Sequence, residues 1–118
     1  MLNVGPTTSI FLYTEPTDMR KGFDGLSGIV REYFHVDPTD GSLFLFINRR
    51  RDRMKILHFD GTGFWLYYKL LESGTFEVLT SNGDDRCLKI DSTQLSMLLS
   101  GVSLRSSHRR RKRYQRAA

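Results

Sequence analysis

The chain carries thirteen carboxylates, three histidines and one cysteine, and these are the groups that could do acid–base, nucleophilic or metal chemistry. Metal-dependent cleavage of nucleic acid needs carboxylates that share one or two ions. Most of the acids here fall in predicted turns or at helix starts, where aspartate accepts local backbone hydrogen bonds. Asp18, Asp24 and Asp60 are the ones to consider, because glycines or basic residues crowd them. Even for these a structural role is the expectation. His35, His58 and His108 have no ligand-like spacing. No GxSxG or HExxH motif is present, and the glycines of GFDGLSG (22–28) lie inside a helical stripe, not after a strand. Cys87 is the single cysteine, which excludes a disulfide framework and a cysteine-built zinc site and fits a reducing cytoplasm. The expectation is a protein with no catalytic residue, no metal and no cofactor.

The cations are more informative. The formal net charge is +5, but it is unevenly placed. From Arg105 onward there are seven Lys+Arg and no acid, leaving eleven basic against thirteen acidic residues in 1–104, a net of −2. A basic block on a slightly acidic body points to a polyanionic partner, with nucleic acid first. Arg109, Arg110, Arg111, Lys112 and Arg113 are its densest part. A second cluster sits in RRRDRMK: Arg49, Arg50 and Arg51 crown a predicted turn, and Arg53 and Lys55 share one face of the strand after it, with Met54 and Ile56 on the other. Arginine's planar fork pairs with phosphate through two hydrogen bonds. Trp65, Tyr67 and Lys69 share a face of the following strand. Aromatics beside cations can stack on bases, although half-buried packing is the more ordinary use of Trp65 and Tyr67.

These residues need elements to position them. TSIFLY (8–13) reads as an opening strand that ends at Glu15-Pro16. Met19, Phe23, Leu26, Val30 and Tyr33 form a helical stripe, so one long helix is expected over 18–34, capped by Thr17 or Asp18. Gly22, Gly25 and Gly28 share another of its faces, which implies either close packing against that backbone or an irregular first turn. The pattern then changes to period two. SLFLFI (42–47), RMKILHF (53–59), FWLYYKLL (64–71) and TFEVL (75–79) read as strands joined by short loops, hence antiparallel neighbours. In the middle hairpin, Met54, Ile56 and Phe64 are expected to point inward while Arg53 and Lys55 point outward. CLKI (87–90) reads as a further short strand. DSTQLSMLLSG (91–101) reads as a helix capped by Asp91 or Ser92, with Gly101 just past its end.

TDMRKGFDGL (17–26), RRRDRMKILHFDGTGFWLYYKLLESGTF (49–76) and QLSMLLSGVSL (94–104) resemble a family of bacterial transposon proteins. It is the small TnpB-like accessory protein encoded by the second open reading frame of insertion-sequence-66 type elements. The likeness covers roughly residues 8–104, and Tyr68-Lys69-Leu70 stands where that family typically reads Tyr-Lys-Arg. The resemblance implies a protein required for DNA transposition beside a separate transposase that cuts and joins strands. It implies no enzymatic activity of its own.

The expected architecture is α+β: residues 1–104 form a single domain and 105–118 a basic flexible tail. The domain is an antiparallel β-meander of four to five strands, with one long helix packed on a face and a short C-terminal helix. The expected function is that of a non-catalytic accessory protein that binds DNA at the element ends, the transposase or other proteins of the same element. The expected contacts are Arg49, Arg50, Arg51, Arg53, Lys55, Lys69 and the tail cations Arg109–Arg113. A protein-interaction adaptor with no DNA contact is the alternative, and a metal-dependent nuclease using Asp18, Asp24 or Asp60 is the distant third. With no apolar run of about 18 residues, no membrane partner is expected.

Overall fold

The computed structural model describes residues 5, 7–78 and 85–101. The tail at 105–118, with Arg109, Arg110, Arg111, Lys112 and Arg113, lies outside the described residues. Five strands form one sheet: β1 (Ile10–Tyr13), β2 (Leu43–Ile47), β3 (Arg53–Phe59), β4 (Phe64–Leu70) and β5 (Cys87–Ile90), in the order β4-β3-β2-β1-β5. Between β1 and β2 stands a helix, α1 (Phe23–Ile29), which continues as a π-helical turn over Val30–Phe34. After β5 comes α2 (Ser92–Leu99).

The α+β class and the run β2–β3–β4 agree with the sequence. Both junctions are antiparallel, with Ile47 opposite Met54 and Phe59 opposite Phe64. The sheet as a whole is mixed and not a meander. β1 lies parallel to β2, with Ile10 opposite Leu43, and β5 adds antiparallel to the far side of β1. Residues 14–42 are a connection long enough for the crossover that parallel strands require. The expected strand at 75–79 is absent from the sheet over its described residues, 75–78. Instead Leu71 and Phe76 donate their backbone N–H groups to the carbonyls of Asp52 and Arg51, which folds this segment back over the end of β2 and β3. The alternation in TFEVL is real, because Phe76 is fully buried and Val78 packs beside it, but it reports a plug over the sheet.

Both faces of the sheet are covered along β2 and most of β3, whereas β4 stays largely exposed. On one, Leu43, Leu45, Ile47, Met54 and Ile56 meet Phe76, Leu95 and Leu98. On the other, Phe44, Phe46 and Leu57 meet Leu26 and Val30, with Tyr33, Phe34 and Phe64 at the margin. This is why LFLFI is buried at every position: a strand covered on both faces reads as a continuous apolar run. Phe34 fits among the rings of Phe11, Phe44 and Phe46 at centroid distances of 5.9, 5.4 and 6.2 Å.

The expected long helix is shorter and starts later. Gly22 is its N-cap, with no side-chain cap, and it ends at His35, whose φ of 56° is left-handed. Asp18 caps a separate turn. Its carboxylate accepts the Arg20 N–H at 2.9 Å, and its carbonyl accepts the Lys21 N–H at 3.1 Å. Close packing does not account for the glycines: Gly22 is the N-cap, Gly25 and Gly28 lie inside α1, nothing approaches a Cβ built on Gly22 or Gly28 within 4 Å, and Gly25 meets only Lys21. At α2 the reading holds closely. The Asp91 carboxylate accepts the Gln94 N–H at 2.7 Å, and the Gln94 side chain accepts the Asp91 N–H at 2.9 Å. This reciprocal cap satisfies two backbone donors that a helix start leaves open.

Candidate functional site

The turn between β2 and β3 is built to hold its shape. Asn48 donates its side-chain amide to Asp52 at 2.8 Å, and its side-chain oxygen accepts the N–H groups of Asp52 and Arg53, both at 3.0 Å. The Asn48 carbonyl accepts the Arg51 N–H at 3.0 Å. Arg51 has φ of 62°, a conformation that costs a non-glycine residue energy unless its surroundings impose it. Here they do, since its carbonyl accepts the Phe76 N–H at 2.6 Å. A polar clamp below and a buried phenylalanine behind fix the backbone. Arg49, Arg50 and Arg51 are thereby held outward, and all three are exposed.

Among the described residues the single ion pair joins Arg20 to Asp18 at 2.7 Å, so the three turn arginines have none. Arg53 is exposed too and donates to the Tyr68 hydroxyl at 3.0 Å. A cleft of about 500 Å³ opens between the turn and residues 16–19, lined by Asn48, Arg49, Arg50 and Arg53 on one side and by Pro16, Thr17, Asp18 and Met19 on the other. A second, of about 340 Å³, reaches Arg49 and Arg51 from the Tyr13–Pro16 side. The Thr17 N–H bonds to the Ile47 carbonyl at 2.8 Å and holds the opposite wall to the end of β2.

Lys55 corrects the sequence reading. It is 8% exposed, and its ammonium donates to the carbonyls of Met19 at 2.6 Å and Lys21 at 2.8 Å. It also lies 4.9 Å above the Tyr68 ring. Arg53 and Lys55 do share a face, but α1 and the chain leading into it cover that face, so only the strand end leaves a cation in solvent. Phe64 is corrected for the same reason. Through the pairing of Phe59 with Phe64 it shares the α1 side with Leu57, opposite to Met54 and Ile56.

Trp65, Tyr67 and Lys69 occupy one face of β4, as expected. Trp65 and Tyr67 stack at 6.1 Å with an interplanar angle of 20°. Tyr67 packs on the core, Trp65 remains half exposed, and Lys69 is exposed. The indole N–H is held by Asp60 at 2.7 Å. The other Asp60 oxygen accepts from the Thr62 hydroxyl and from the N–H groups of Thr62 and Gly63. Those donors hold its carboxyl well below the usual carboxylate range. Hydrogen bonds from the Arg20 side chain and backbone lower Asp18 to about 2. Both acids are thus committed to turns. Among the described residues no three His, Cys, Asp or Glu side chains converge as a metal site would need. Burial pushes the Cys87 thiol upward, away from the reactive thiolate. No described helix is long and apolar enough to cross a membrane.

The family profile described as IS66 Orf2-like protein matches residues 8–109. Two similar proteins come from Sinorhizobium fredii (strain NBRC 101917 / NGR234). Uncharacterized protein y4hO is 37% identical over 105 residues, covering 89% of this chain and 90% of that one. Uncharacterized protein y4jC is 34% identical over 101 residues, covering 84% and 85%. No solved structure matches. The chain belongs to the IS66 Orf2-like family, and so to the accessory proteins of insertion-sequence transposition.

Proposed function

We propose that this IS66 Orf2-like chain is a non-catalytic transposition subunit that grips the DNA backbone through its arginine turn. Arg49, Arg50, Arg51 and Arg53 form the rigid part of the contact, and Arg109–Arg113 add a second basic segment. Lys69 lies apart, on β4. Lys55 is left out, because its donors are already used. The observation that carries the reading is the clamped turn: three arginines fixed in solvent beside a cleft, none of them in an ion pair among the described residues. Side chains that cost rotamer entropy to order make better phosphate ligands when their backbone is already fixed.

The test is titration of the full chain against duplex from the element ends and against random duplex, over a range of salt. The nine cations, each on one phosphate, give a log-affinity slope of about −8 against log salt. A chain lacking residues 105–118 should bind more weakly, with a shallower slope, and should retain salt-dependent binding through the turn. No binding to either duplex, together with capture of the transposase by the full chain, would replace this reading with that of a protein adaptor whose arginines meet an acidic surface.

A further inference from the structure

The two edges of the sheet are unequal. β5 is four residues long and carries the exposed Lys89, and a short charged strand is how proteins blunt an edge. β4 is seven residues long, has no proline and pairs in unbroken register with β3. Trp65, Tyr68 and Leu70 on it are 49%, 51% and 48% exposed. The phase of its ladder is fixed at both ends, by the Asp60 N–H bonded to the Gly63 carbonyl and the Leu71 N–H bonded to the Asp52 carbonyl. Hydrogen-bonded and non-hydrogen-bonded pairs alternate along antiparallel strands. Trp65, Tyr67 and Lys69 therefore turn their backbone groups to β3, while Phe64, Leu66, Tyr68 and Leu70 turn theirs to the open edge, which meets no strand among the described residues.

We infer that this edge pairs with β4 of a second copy, antiparallel about a two-fold axis at Tyr67, to make one ten-stranded sheet. The sequence of β4 is self-complementary in that register. Phe64 falls opposite Leu70 of the second copy and Leu66 opposite Tyr68, so every outward backbone group meets an outward partner. On the other face Trp65 falls opposite Lys69. The strand's single cation thus lies beside an indole instead of its own copy, an arrangement that favours cation–π contact. Shifting the axis by one residue either way pairs fewer outward groups and moves Lys69 away from Trp65.

Sedimentation of the full chain over about 1–100 μM should give twice the chain mass, with the dimer dissociating at the low end. Trp65→Lys, at a half-exposed site, sets two like charges opposite each other and should weaken the dimer at least tenfold. Trp65→Lys with Lys69→Glu should restore it. Independently, Tyr67→Cys should cross-link to its own copy on mild oxidation, because facing residues of a non-hydrogen-bonded pair lie about 4.5 Å apart at Cα. Lys69→Cys, offset from its own copy, should not cross-link. A monomer at every concentration, a dimer indifferent to Trp65→Lys, or cross-linking at 69 equal to that at 67 would overturn the inference.

Discussion

Lys55 and the turn arginines are separated by only a few residues, yet the fold uses them in opposite ways. The Lys55 ammonium lies under the chain that leads into α1, with two carbonyls within 2.8 Å. Arg49, Arg50 and Arg51 stand in solvent, and their backbone has its partners while their side chains have no ion pair among the described residues. One cation is spent inside the molecule, stitching the 19–21 segment to the sheet. The others are held out in solvent. Charge in a sequence therefore says little about function until its partners are known. A satisfied cation contributes to stability, and a fixed but unsatisfied one is available to a ligand.

Substitutions should separate the two regions cleanly. The largest effect is expected from the combined Arg49→Ala, Arg50→Ala and Arg53→Ala variant. Loss of three phosphate contacts should lower duplex affinity on the order of 100-fold at about 0.1 M salt, while its melting temperature changes little, as for most surface substitutions. Lys55→Met should do the reverse. Two carbonyls lose their donor, at a cost of about 1–3 kcal/mol, which lowers the melting temperature by roughly 4–8 °C per kcal/mol. Its duplex affinity, measured where the variant is folded, should match the parent. Asn48→Ala bridges the comparison. It opens the clamp beneath the arginines, so a calorimetric loss of about 1 kcal/mol should accompany an affinity loss of severalfold, smaller than that of the triple variant.

The pH dependence is the mildest test. Asp18 at about 2 and the depressed Asp60 both titrate below an unfolded carboxylate. Such groups add stability above their unfolded pKa, near 3.9, and lose it as pH falls toward the folded value. Melting temperature should drop between pH 5 and pH 3. In Asp60→Asn, which is less stable at neutral pH, the drop over that interval should be smaller.

How far the sequence could be read follows from the same physics. The antiparallel run β2–β3–β4 and the Asp91–Gln94 cap were legible because short loops and local caps are encoded within a few residues of themselves. The arginine turn was legible as a turn, and its Asn48–Asp52 clamp is local, but the support behind it was not legible, since the Arg51 carbonyl meets the N–H of Phe76 far along the chain. The parallel β1–β2 pair and the place of β5 beside β1 were hidden because strand order rests on pairings between distant segments. The inward course of Lys55 was hidden because period-two alternation separates inside from outside only when one face of a strand meets water, and β3 is covered on both at Lys55. The glycines of the helix could be read two ways, and their open surroundings rule out the close-packing reading.

The central claim is that the clamped arginine turn grips the backbone of DNA. It is tested most directly by the salt dependence of duplex binding for the full chain and for the Arg49→Ala, Arg50→Ala, Arg53→Ala variant. The slope of log affinity against log salt should become shallower by about 3, close to one unit for each phosphate contact removed. An unchanged slope and affinity in a variant that remains folded would contradict it.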